Sequence, residues 1–135
     1  MDGNSSQMIT IDSANKMLQS YLNSINYTGT DTNLTAVIFN ADSLRGYLND
    51  TTNGKIAFVK LMFAHTLSYI NNGGANQNCG YNNNNLTLIV AGYDTLNNYV
   101  YYGKGMVLDR GLPCPSNCPP TGTASNYILP PPLSK

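Results

Sequence analysis

Nothing constrains this chain more than the run Leu86-Thr87-Leu88-Ile89-Val90-Ala91-Gly92-Tyr93-Asp94, its most apolar and β-branched stretch, with the return run Tyr99-Val100-Tyr101-Tyr102. β-Branched and aromatic side chains suit the pleated, half-buried surface of a sheet. The pattern predicts a central strand over 86–93. A hairpin loop over 94–98 follows, where an Asn-Asn pair tolerates positive φ, and then a return strand over 99–102. The rest of the chain is read as material that packs on this hairpin.

Upstream, apolar residues at Ala14, Met17, Leu18, Tyr21, Leu22 and Ile25 fall at helical spacing. They predict a helix over about 11–25, with Thr10 or Asp12 as N-cap. Thr35 to Asn40 reads as a short strand. Asp42 and Ser43 then open a second helix that buries Leu44, Tyr47 and Leu48. The segment 57–66 is apolar on both alternating faces and fits a strand or a short helix; its Val and Phe content favours the strand. Residues 71–85 are a low-complexity Asn/Gly loop. Gly103 and Gly105 around Lys104 predict a bend, and 106–109 a last short strand. Dense prolines after Leu112 forbid helix and interior strand, so the end is expected to be extended. Two helices followed by a meander of strands imply an α+β fold. We expect two N-terminal helices on one face of a mostly antiparallel sheet of about four strands. The division is a flexible start (1–8), a single domain (9–118) and a Pro-rich tail (119–135).

The helix-strand-helix start, the "LTLIVAGYD" strand and the ending Asp109-x-Gly111-x-Pro113-Cys114-Pro115-x-x-Cys118 together resemble a group of small uncharacterised proteins from Bacteroidota-type bacteria. The similarity spans about residues 9–118, and its most specific part is the Pro-Cys-Pro-x-x-Cys ending. The chain departs from that pattern in its Asn-rich 71–85 loop and its extension past Cys118. The resemblance implies a fold and supplies no activity and no catalytic residues.

Charge limits the function classes. Only 10% of residues are charged and the formal net charge is zero. Asn, Thr, Ser, Gly and Tyr occupy the surface instead. Such an exterior has little long-range field and does not repel its own copies. Nucleic acid is not an expected partner, because phosphate contacts need clustered Lys and Arg, and the seven present are scattered. No apolar run reaches the roughly 18 residues of a membrane-crossing helix. The first seven residues lack the basic and apolar regions of a secretory signal.

Three cysteines, Cys79, Cys114 and Cys118, are an odd count, which argues against a complete disulfide framework. Cys114 and Cys118 are candidates for a local disulfide that pins the tail, which favours a cell-surface or extracellular setting over the cytoplasm. Redox catalysis favours Cys-x-x-Cys at a helix start, and the spacing here is longer and flanked by prolines. Zinc would need four ligands; His65, Cys79, Cys114 and Cys118 are the available set. His65 as a general base would need Cys79 or Asp94 beside it. Asp42 reads as a helix cap and Asp94 as a turn former.

The tyrosines are the stronger signal. Tyr93, Tyr99, Tyr101 and Tyr102 cluster on the hairpin, and Tyr99 and Tyr101 share a face. Tyrosine offers a large contact area with a polar tip and is enriched at interfaces. The tail segment Tyr127, Ile128, Leu129 is apolar for a terminus. These residues predict a non-enzymatic structural or interaction module that associates with other copies of itself through strand edges, tyrosines and tail, without a cofactor. The alternatives are a metal-binding or thiol-dependent enzyme built on His65 and the cysteines, and a glycan- or peptide-binding module using the 71–85 loop.

Overall fold

A computed structural model of the chain describes residues 7–26, 33–82, 84–109, 112–114 and 119–131. The elements in order are helix α1 (Ile11–Ser24), strand β1 (Ala36–Ile38), helix α2 (Ala41–Asn49), strand β2 (Phe58–His65) and a short helical turn α3 (Leu67–Tyr69). Strands β3 (Leu86–Tyr93), β4 (Tyr99–Val100), β5 (Leu108–Asp109) and β6 (Leu112–Cys114) follow. The fold is α+β, with a four-stranded antiparallel main sheet and a separate β1–β6 pair.

Local chemistry accounts for most boundaries. Thr10 caps α1 by accepting the Ser13 N–H at 3.1 Å. Asn40 caps α2 by accepting the Ser43 N–H at 2.9 Å, so Asp42 lies in the first turn and is not the cap. There it pairs with Arg45. Asp94 forms the hairpin turn, as its residue type implies: one carboxylate oxygen accepts the N–H groups of Leu96 and Asn98, each at 2.9 Å. Asn97 takes the positive φ, 68°.

Several segments differ from the sequence reading, among them the return strand expected over 99–102, of which β4 covers only Tyr99–Val100 while Tyr102 makes an isolated bridge to Met106. Residues 67–74, expected to run into a loop, form α3 and a widened π-type turn, Ile70–Gly74. The Thr66 hydroxyl starts this helical piece by accepting the Tyr69 N–H at 3.2 Å, and Gly74 lies flat against the Tyr69 ring, where a Cβ would come within 2.5 Å. Pro113 sits inside a strand, β6, but among the described residues that strand has one neighbour, the edge position where a missing N–H is tolerated. The tail includes a 3₁₀ turn, Thr123–Ser125.

The sheet centres on β3. It pairs with β2 along its whole length, Phe58 opposite Tyr93 through to His65 opposite Leu86. Its other edge takes β4 and then β5. Opposed residues share a face. Leu88, Val90 and Gly92 therefore lie on one face with Phe63, Leu61 and Val59. Leu108 joins them opposite Val90. Here α2 contributes Tyr47, which is buried, and Ile56 fills the space over Gly92. From α1, Tyr21 donates to the Leu34 carbonyl at 2.8 Å and shares a cleft with Phe63 and Leu88. Among the described residues the buried apolar side chains are Leu34, Tyr47, Val90, Ala91 and Val100.

Candidate interaction surface

The cover over this helix-bearing face stops one strand short. Val90 in β3 is only 2% exposed, while on β2 Val59 is 48%, Leu61 55% and Phe63 78% exposed. Among the described residues β2 also has one hydrogen-bonding neighbour only. Its eight residues contain no proline and no break in register, and its one charged group, Lys60, points to the opposite face. Edge strands of this length are usually blunted by prolines, bulges or several charges. The apolar row runs on into a cleft of about 590 Å³ whose walls include Tyr21, Leu34, Phe63, Tyr81 and Leu88.

The other face carries the tyrosines. Tyr93 packs against Phe58 with ring centroids 5.3 Å apart. Tyr99 and Tyr101 stack at 6.3 Å and 24°, as their shared face predicts. Lys60 sits among them. Its ammonium donates to the Tyr99 hydroxyl at 2.8 Å and lies 5.1 Å from the Tyr99 ring centre and 6.0 Å from that of Tyr93. The Tyr99 hydrogen bond, with the electrostatic pull of Tyr99 and then Tyr93, raises the Lys60 pKa above its ordinary value. An ammonium over aromatic faces is held by the ring quadrupoles.

Tyr102 is not part of this group. It turns to α2 and meets the Tyr47 ring edge-on at 6.4 Å, in a hollow that also takes in Gly46, Met106 and Leu108. The tail residues lie elsewhere again. Asn15 of α1 clamps the Leu129 backbone, donating to its C=O at 2.9 Å and accepting its N–H at 2.7 Å. Tyr127, Ile128 and Leu22 line an adjacent hollow. The sequence-derived interaction residues thus separate into three places: Tyr93, Tyr99 and Tyr101 on one sheet face, Tyr102 beside α2, and 127–129 beside α1.

The candidate chemistry residues are dispersed. His65 ends β2 and its ring meets Tyr69 at 4.9 Å. Asp94 follows Tyr93, which pairs with Phe58 at the far end of that ladder, so the β2–β3 pairing separates His65 from Asp94 instead of joining them. The Cys79 thiol is half-buried and points to the Gly80 carbonyl, 3.5 Å away. No group of three His, Cys, Asp or Glu is placed to hold a metal ion among the described residues. The proposed Cys114–Cys118 bridge lies outside the described residues.

Sequence reasoning passed over Val59, Leu61 and Phe63 because 57–66 alternates apolar with apolar and names no bare face. It passed over Lys60 because a single lysine in a strand reads as solvated. The signal for both is the β2–β3 register, which sequence alone does not give. No helix among the described residues is long and apolar enough to cross a membrane. Comparison with known proteins finds no family model, no curated protein and no solved structure that matches this chain.

Proposed function

We propose that this protein is a non-enzymatic structural module that assembles with copies of itself, and that the open edge of β2 is its main contact. One observation carries the reading: an eight-residue strand that has a single neighbour among the described residues and also shows a row of three exposed apolar side chains. A second strand laid on that edge satisfies its free backbone groups and takes apolar surface out of water. Zero formal net charge leaves little long-range repulsion between copies. Tyr99 and Tyr101 form a further contact area on the opposite face. The tail has a smaller part, because Asn15 of its own chain already holds the Leu129 backbone.

Light scattering on a concentration series of the full chain tests this. The expected result is a mass above the 14.6 kDa of one chain that falls on dilution, and that Phe63→Asp shifts to monomer without loss of secondary structure. A monomer at every concentration overturns the proposal. Deleting 119–135 divides the contacts: retained assembly assigns them to the strand edge, lost assembly to the tail.

A further inference from the structure

Hydrogen bonding in an antiparallel ladder repeats every two residues. At its end Thr66 N–H bonds to Asn85 C=O at 2.9 Å, in step with the pairing of His65 and Leu86. Phe58, Lys60, Met62 and Ala64 therefore turn their N–H and C=O groups toward β3. Val59, Leu61 and Phe63 turn theirs to the open edge. The same three residues carry the exposed apolar side chains.

A second copy meets this edge antiparallel when a twofold axis stands perpendicular to the sheet. That operation keeps like faces on the same side, so the residue on the axis faces its own equivalent. Three positions near the middle of the strand qualify. With the axis at Lys60, two ammonium groups oppose each other, which is destabilising. With the axis at Met62, Leu61 meets Phe63, but Val59 meets His65. With the axis at Leu61, Val59 of each copy meets Phe63 of the other and Leu61 meets itself. Each of these three side chains then has an apolar partner, and Phe63, the barest of them, is covered. On the reverse face Lys60 lies opposite Met62 and keeps its ammonium on Tyr99. The row Val59, Leu61, Phe63 is apolar read in either direction, and this self-complementarity fits a copy of the same chain.

Resting on the self-association above, we propose that two chains pair β2 to β2, antiparallel, about a twofold axis at Leu61. Their four-stranded sheets then join into one continuous sheet, with α2 of each copy on the same face.

Isotope-filtered NMR on a mixture of labelled and unlabelled full-length chains reads the register directly. Cα atoms approach most closely, about 4.5 Å, at the non-hydrogen-bonded pairs of a ladder. The expected signal is a contact between the Lys60 and Met62 α-protons across copies. A Met62–Met62 or Lys60–Ala64 contact, or an assembled protein with no β2 contact at all, overturns the register and leaves self-association standing. The absence of any assembly overturns both. A charge swap gives a second readout. Val59→Lys and Phe63→Glu should each weaken pairing about ten-fold. Mixing the two variants should restore it as a heterodimer, because only this register sets 59 against 63. A mixture no tighter than either variant alone overturns the proposal.

Discussion

The Tyr47 hydroxyl accepts the Gly92 N–H at 2.9 Å and donates to the Val100 carbonyl at 2.7 Å. Gly92 and Val100 are opposed residues of β3 and β4, so a side chain from α2 completes the sheet's own ladder at a buried point. Tyr47→Phe removes both bonds at nearly constant volume. It should lower stability by about 1–3 kcal/mol, the range for leaving buried polar groups unpaired, as measured by urea denaturation at a fixed protein concentration. Lys60 makes a different prediction. Its pKa is raised above the ordinary 10.5, first by the Tyr99 hydrogen bond. A raised folded-state pKa gives a contribution that is complete below the unfolded value and lost as pH rises through the folded one. An NMR titration of the Lys60 side chain should show a midpoint above 10.5. Tyr99→Phe should bring it back toward that value, and an unchanged midpoint would contradict the assignment.

Two glycines show how the elements are fitted together. Gly46, inside α2, has nothing within 4 Å of where a Cβ would stand, so Gly46→Ala should stabilise the protein by about 0.5–1 kcal/mol through helix propensity. Gly92, inside β3, would bring a Cβ within 2.6 Å of Ile56. Gly92→Ala should destabilise by about 1–3 kcal/mol through overpacking. Thermal melts of the two variants should move in opposite directions. Elements announced by dense local pattern were legible in the sequence: α1 by its helical spacing, and β3 by its unbroken β-branched run, observed over Leu86–Tyr93 as expected. The 67–74 turn was not, because Asn and Gly read as loop and its support is the packing of Gly74 on Tyr69. The cap of α2 was misplaced by two residues because Asn40, Asp42 and Ser43 all suit that role. The β1–β6 pair joins Ala36 to Cys114, a long-range contact with no local signature. The shared face of Tyr99 and Tyr101 was readable from alternation, whereas the Lys60 ammonium beside them, brought there by the β2–β3 pairing, was not.

For the whole molecule, the thin core has a consequence of its own. The buried apolar side chains among the described residues are Leu34, Tyr47, Val90, Ala91 and Val100, while three more stand ready on the β2 edge. With two chains joined there, part of the free energy that keeps each one folded comes from its mate. Mass action then links unfolding to the number of molecules in the tube. Each ten-fold dilution should lower Tm by a few degrees, visible in calorimetry, whereas a self-sufficient monomer melts at one temperature throughout. For the proposed pair, dilution alone would act as a gentle denaturant, and crowding together as a stabiliser.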